Sequence, residues 1–354
     1  MFADRQFEAY QSFLLGCKLY WTGPIYAELR ATYARKAALA AAVPRSAGEA
    51  AALLEGETLH ETYAWLERHL QRFKYSGRWG LQPAHEARRT ALEATLDAKL
   101  PDGLLALDPE LEMPKYYAGT DIHQHPGGVW SDALAGLVYE RGARTTTPLL
   151  TRHKDLHDRF ADLVRARGPW RRLADLGCGF GKSTRPFAAA ARDAEVVGVD
   201  LSAPCLRLAA RDAASAQARN LRFRQADARA TGLAGAAFDV VTSTMLIHEM
   251  PPPAIRALFA ESHRLLAPGG LAAHLDFRPP ADDPFLAAIH YGHARRNNEP
   301  FMEKWARMDA VAELEAAGFR DVEIAPFEEA DGAIAASDSR WRFPWVAIFA
   351  RKAA

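Results

Sequence analysis

The stretch Leu173-Ala-Asp-Leu-Gly-Cys-Gly-Phe-Gly181 constrains the fold of this chain more than any other. Apolar residues lead into Asp175, and Gly177, Gly179 and Gly181 then take every second position. Ser183, Thr184, Phe187 and an alanine tract follow, so the segment reads as strand, tight turn and helix start. Alternating glycines let a backbone turn sharply and leave no side chain between it and a ligand.

Spacing separates the ligands such a turn could hold. A phosphate loop of the form G-x-x-x-x-G-K-[ST] would end on Gly181-Lys182-Ser183, but its first glycine would fall on Leu176. A dinucleotide fingerprint G-x-G-x-x-G would place its third glycine at Lys182. What remains is G-x-G-x-G with Asp175 just upstream, which resembles the first motif of class I S-adenosylmethionine-dependent methyltransferases. For this segment alone, the plain alternative is a strand-to-helix turn with chance glycines.

The order of elements downstream strengthens the resemblance. Val196-Val-Gly-Val-Asp200 is a short apolar run closed by an acid, and a carboxylate at a strand's carboxyl end can accept both ribose hydroxyls. A helix over 204–219 and a strand over 221–227 follow, then a fourth strand and its loop over 238–248. The helix from Pro253 to Leu266 stops at Pro268-Gly269-Gly270. Strands at 271–277, 321–327 and 345–351 and a helix at 308–317 complete the set. The resemblance covers roughly residues 148–354. It implies an α/β fold: a doubly wound, seven-stranded, mostly parallel sheet with an antiparallel last strand. It also implies a site in which the backbone at Gly177, Cys178, Gly179 and Gly181, with Asp175, holds the methionine part of S-adenosylmethionine. Asp200 and Leu201 would hold the ribose, Asp227 and Ala228 the adenine, and Thr244 would close the cofactor set.

Residues 1–147 read differently. Apolar spacing at three and four recurs over 2–20, 24–42, 58–73 and 85–100 and predicts helices, with Pro24, Pro44 and Pro101-Asp102-Gly103 as breaks. From Leu104 to Gly128 the pattern degrades into loop. Ser131 is placed to cap a helix carrying Leu134, Leu137 and Val138, and Thr147-Pro148 opens another through Leu156, Phe160 and Val164. The expectation is two domains, a mostly helical substrate-binding lid at 1–147 and the catalytic domain at 148–354, the lid packed over the carboxyl edge of the sheet.

Composition narrows partners and location. The 354 residues hold 44 Lys plus Arg against 44 Asp plus Glu, so no basic excess attracts nucleic acid. Cys17, Cys178 and Cys205 have no paired spacing, the N-terminus carries Asp4 and Glu8, and no run approaches a membrane span. These features predict a cytoplasmic protein with no membrane partner, and a homodimer is left open as its assembly. The abundance of alanine and arginine points to a GC-rich bacterial genome.

Two polar loops stand out. In Tyr116-Tyr-Ala-Gly-Thr-Asp121-Ile-His123-Gln-His125-Pro-Gly-Gly-Val-Trp130, an extended backbone would project Asp121, His123 and His125 to one side. Such a trio suits zinc or iron, but a lone D-x-H-x-H without a fourth ligand identifies no metal site. A substrate-facing or hydrogen-bonding role is the alternative. The second loop runs from His290 through Tyr291, His293, Arg295 and Asn298 to Phe301, where methyltransferases commonly place substrate-covering segments. Tyr116, Trp130, Tyr291, Arg295 and Asn298 are the substrate-binding candidates; a solvated surface helix is the plain reading of the second segment.

Methyl transfer to oxygen or nitrogen needs a group to take the acceptor's proton, and histidine suits that near neutral pH. His248, at the end of the fourth strand, is the first candidate. Glu249 beside it, and His123 and His125 if their loop folds over the site, are the others. The chain is thus expected to be an S-adenosylmethionine-dependent methyltransferase of specialised metabolism, acting on a partly apolar small molecule at oxygen, nitrogen or carbon and releasing S-adenosylhomocysteine. Alternatives are a cofactor-binding enzyme of this fold with other chemistry, a protein or peptide methyltransferase and, disfavoured by Lys182, a nicotinamide-dependent dehydrogenase.

Overall fold

The computed structural model describes residues 5–144, 156–280 and 282–354. Its frame is one sheet of eight strands: β1 (Leu105–Ala106), β2 (Arg172–Leu176), β3 (Glu195–Asp200), β4 (Leu221–Gln225), β5 (Phe238–Thr244), β6 (Leu266–Phe277), β7 (Phe319–Pro326) and β8 (Trp345–Lys352). Their order across the sheet is β1-β4-β3-β2-β5-β6-β8-β7. All neighbours are parallel except β8, which runs antiparallel to both β6 and β7. The inner strands are buried on both faces, as the burial of Leu173 to Leu176 and Val196 to Val199 requires of a doubly covered sheet.

The chain builds β2, β3 and β4 outward to one side, then returns to lay β5 and β6 on the other. The reversal falls between β2 and β5, and open α/β sheets bind ligands in the crevice at such a point. Leu156–Arg165, Thr184–Ala190 and Ala203–Ser215 cover one face, and Pro252–Leu265 and Ala310–Ala316 the other.

The sheet has one strand more than the seven expected. Leu105 and Ala106 pair in parallel with Phe223 and Arg224, so part of the stretch read as loop extends the sheet edge. A two-residue strand is too short to show an alternating pattern, which is why the sequence hid it. Pro24 breaks nothing: it sits in a five-residue π-turn, Trp21–Ile25, that carries helix Arg5–Tyr20 into Tyr26–Leu39. The helix read over 85–100 is two short pieces, Leu81–Glu86 and Arg89–Leu96. Ser131 is not a cap: helix Ala135–Ala143 begins later, and Asp132 Oδ1 accepts from the Leu134 amide at 2.8 Å. Pro268-Gly269-Gly270 lies within β6, where the pairing with β5 shifts register. The helix start expected at Thr147-Pro148 and the domain boundary there lie outside the described residues.

The N-terminal helices close over the carboxyl ends of the strands. Gly136 meets the start of helix Ala203–Ser215 so tightly that a Cβ there would stand 2.4 Å from the Pro204 carbonyl oxygen. On the other side Trp21 lies 5.4 Å from Trp341, and Tyr33 4.9 Å from Phe285, ring centre to ring centre. Among the described residues no helix is long and apolar enough to cross a membrane.

Candidate active site

The glycine turn is fastened to the strand beside it. The amides of Gly177 and Cys178 donate to the Val199 carbonyl at 2.8 and 3.0 Å. Gly177, Gly179 and Gly181 have φ of +70°, +51° and +76°, the left-handed region that glycine enters without a Cβ clash. At the end of β3, Asp200 accepts from the Gly179 and Ser202 amides, both at 2.8 Å. Burial pushes its carboxyl up to about 6 against the pull of those two bonds. Ser202 in turn donates to the Val129 carbonyl at 2.6 Å, which docks the N-terminal loop onto this turn.

A cavity opens here, lined by Gly177, Cys178, Gly179, Asp200, Leu201, Asp227, Ala228 and Thr244 at one end. Three features fit a bound S-adenosylmethionine. The glycine backbone presents no side chain, Asp200 keeps acceptor capacity beyond its two amide bonds, and Thr244 has a buried hydroxyl without a protein partner among the described residues. Asp227 is gripped by Arg229, whose guanidinium stands 5.4 Å from the Tyr116 ring centre.

Two residues of the expected cofactor set stand behind the cavity wall. Asp175 is fully buried and accepts from Ser183, Thr184 and Thr242 hydroxyls at 2.6, 2.7 and 3.0 Å. Its carboxylate ties the glycine turn to the following helix and to β5 rather than reaching a ligand. Gly181 packs toward Ala209 and Phe223, where a Cβ would come within 3.0 Å of Ala209 Cβ.

The other end of the cavity holds a chain of acids and bases. His248 donates from Nδ1 to Asp276 Oδ1 at 2.8 Å, and Asp276 also accepts the Ile247 and Phe277 amides. Burial opposes a charge on His248, but Asp276, with Glu249 and Glu299 adding to it, more than compensates and raises its pKa. Glu249 Oε1 lies 4.0 Å from His248 Nε2 and 2.8 Å from His123 Nε2. His123 donates from its other nitrogen to Glu299 Oε1 at 3.0 Å. Both ring nitrogens face carboxylates, so bonds to Glu249 and Glu299 overcome burial and hold the ring charged, with a pKa of about 10. Glu299 stands 3.6 Å from His293 Nε2, and His293 Nδ1 lies 2.6 Å from Glu67 Oε1. Glu67 is also paired with Arg296. Opposite charges thus alternate from helix Thr58–Tyr75 to the end of the sheet.

Asp121, His123 and His125, weighed as a possible ligand trio, do not come together. The backbone at Ile122–Gln124 is a tight turn, not extended, so Asp121 is exposed and His123 turns to the glutamates. His125 packs edge-to-face on Tyr75 at 5.0 Å, and burial pulls its pKa down to about 4. Among the described residues no group of three or more His, Cys, Asp or Glu is arranged to hold a metal.

Of the substrate-binding candidates, Tyr116 lines the cavity, whereas Trp130, Tyr291, Arg295 and Asn298 do not. The second loop is instead the end of helix Pro284–Arg296 and the turn after it, from which His293, Asn297 and Glu299 face the cavity. Tyr291 faces Arg307, Arg295 faces Glu303, and Asn298 bonds the Asp121 carbonyl at 3.2 Å. Trp21, Tyr139 and Trp341, aromatics that the sequence places outside the strand core, also line the cavity, as do Lys18 and Glu67, which carried no motif that would single them out.

The sheet order, the glycine turn and the acids ending β3 and following β4 together define a nucleoside-binding α/β domain. Residues 173–270 match the family described as Methyltransferase domain. It is 35% identical over 127 residues to the demethylmenaquinone methyltransferase of Thermus thermophilus, covering 36% of this chain and 56% of that one. It is 40% identical over 128 residues to the trans-aconitate 2-methyltransferase of Methylobacterium radiotolerans (35% and 46% covered). It is 33% identical over 141 residues to the nocamycin O-methyltransferase of Saccharothrix syringae (39% and 46% covered). The chain spans about half the length of these curated relatives.

Proposed function

We propose that the protein moves the methyl group of S-adenosylmethionine to a small-molecule acceptor and releases S-adenosylhomocysteine. The observation that carries this reading is a cavity with two chemically distinct ends. Gly177 to Gly179, Asp200 and Asp227 stand at one, and aromatic side chains with His248, Glu249 and His123 at the other. Walls contributed by both the N-terminal helices and the sheet favour an enclosed small molecule over a protein segment, which would need an open groove. The N-terminal residues then act as the lid and acceptor-binding part. Oxygen and nitrogen acceptors are favoured because the cavity holds groups able to take a proton; carbon acceptors remain in scope.

Bound cofactor supplies a methyl group made electrophilic by its sulfonium. The protein's work is then alignment, which can contribute on the order of 7–11 kcal/mol when nucleophile, methyl and sulfur are held in line. Asp200 fixes the cofactor's sugar, and the glycine backbone admits the methionine portion. His248, with Nδ1 engaged by Asp276, keeps Nε2 as the atom that takes the acceptor's proton as its new bond to the methyl carbon forms. Glu249, held by His123, orients the acceptor or receives that proton in turn.

The aromatic cavity and the composition support a role in bacterial specialised metabolism, in the cytoplasm, without nucleic-acid partners. Incubating the protein with methyl-labelled cofactor and fractionated metabolite extracts tests the reading. The expected result is a labelled small molecule with matching S-adenosylhomocysteine. Tight cofactor binding with no S-adenosylhomocysteine from any fraction would overturn it.

A further inference from the structure

We propose that Lys18 anchors a carboxylate on an aromatic acceptor, an inference that rests on the small-molecule reading above. The argument begins with charge balance. Glu67 is paired with Arg296 and His293, Glu299 with His123 and His293, and Glu249 with His123. Each of these buried carboxylates therefore has a cation at or near hydrogen-bond distance. Lys18, which lines the same end of the cavity, forms no ion pair within 4.0 Å among the described residues. It is the surplus cation of the chamber.

Burial acts on it accordingly. Desolvation draws the Lys18 ammonium down to about 8, with Glu67 and Glu299 only partly opposing the shift. An ammonium partly withdrawn from water without a hydrogen-bonded counter-charge is unfavourable until a ligand supplies one. Glu67 and Glu299 would repel an incoming anion, but each already carries two cationic neighbours. Three cations, Arg296, His293 and His123, thus stand against three carboxylates, Glu67, Glu299 and Glu249, and the Lys18 charge is left over for an anion.

The surroundings set the rest of the ligand. Lys18 and Trp21 are one helical turn apart, so their side chains share a face, and Trp21 stacks obliquely on Trp341 at 5.4 Å. Both indole N–H groups are buried without an acceptor among the described residues. A flat apolar body against these rings, with an acidic group at the ammonium, satisfies the chamber's packing and its surplus charge together.

Calorimetry on the full-length protein tests this with cinnamate and its uncharged counterpart cinnamamide, each titrated after saturation with S-adenosylhomocysteine. Cinnamate is expected to bind about tenfold or more tighter than cinnamamide. Lys18→Met should abolish that preference and Lys18→Arg should keep it, with all three proteins binding S-adenosylhomocysteine alike. Equal binding of the two probes, no binding of either, or a preference that survives Lys18→Met would overturn the inference. A wild-type protein that binds no S-adenosylhomocysteine would instead sink the methyltransferase reading beneath it.

Discussion

His123 Nε2 and Glu249 Oε1, 2.8 Å apart, join the N-terminal region to the loop after β5. The bond is made from a strained backbone: His123 has φ +57°, in the left-handed region that non-glycine residues occupy at a cost of order 1–3 kcal/mol. Gln124 shares that conformation, and Gln71 donates to the His123 carbonyl at 2.9 Å. The surroundings hold the turn where it is, and the result is an imidazole fixed between two glutamates from different parts of the chain.

If Glu249 orients the acceptor, loosening it should slow chemistry without weakening cofactor binding. His123→Asn is expected to lower kcat by about 10²-fold, within the range for removing a positioned acid–base group. The affinity for S-adenosylhomocysteine should change by less than about twofold. Steady-state kinetics paired with calorimetry checks this, and an unchanged kcat would remove His123 from the reaction.

That the glycine turn and Asp200 meet at one cavity was legible in the sequence because the signal is local. Gly177 to Gly181 sit on one turn, and Asp200 closes its own strand, so counting residues was sufficient. Asp175 shows the limit of that reasoning: the motif places it beside the turn, but three hydroxyls claim its carboxylate. The acid–base chain could not be read, because His123 meets Glu299 across 176 positions of sequence. Within residues 290–301 the inward face is readable from the sequence. Read at helical period, His290, His293 and Asn297 share one face, and Tyr291 and Arg295 lie off it; the structure buries the first three and leaves Arg295 exposed.

Asp200 should dominate cofactor affinity. Asp200→Asn removes the charge proposed to accept the sugar hydroxyls, and hydrogen bonds to charged groups are worth about 1.5–3 kcal/mol, or roughly 10- to 100-fold in Kd. In the wild type the carboxyl titrates at about 6, raised by burial. Affinity should therefore be flat above that value and fall as pH drops below it, by up to about tenfold per pH unit. Calorimetric titration of S-adenosylhomocysteine across that range should show the bend in the wild type and none in Asp200→Asn.

Stability should decline on both sides of neutrality, through different histidines. Burial pulls His125 and His274 down to about 4, so between 6.5 and 4 the unfolded chain binds protons that the folded chain refuses. Stability is then present above 6.5 and lost as pH falls, by at most ~1.4 kcal/mol per pH unit for each group. His123 and His293 shift the other way, to about 10 and about 9, drawn up by their glutamates against burial. Their contribution is fully present below 6.5 and disappears as pH rises through those values. Urea unfolding over a pH series should give a maximum near neutrality, and His274→Asn should flatten only the acid side.

Asp276 provides the sharpest test of His248 as the proton acceptor. Its two oxygens accept the His248 ring N–H and the amides of Ile247 and Phe277, and the side chain is fully buried. Asp276→Asn keeps the shape but presents an N–H₂ group where one oxygen accepted, and breaking a buried pair of this kind is worth about 3–5 kcal/mol. The variant should still fold at low temperature and bind S-adenosylhomocysteine, since Asp276 does not line the cofactor end. Because Asp276 is the strongest influence raising the His248 pKa, its loss should move the acid limb of kcat/KM to lower pH and reduce kcat by about 10²-fold or more. An acid limb that stays in place while kcat falls would mean that Asp276 acts only on structure and that another group, Glu249 first, takes the proton.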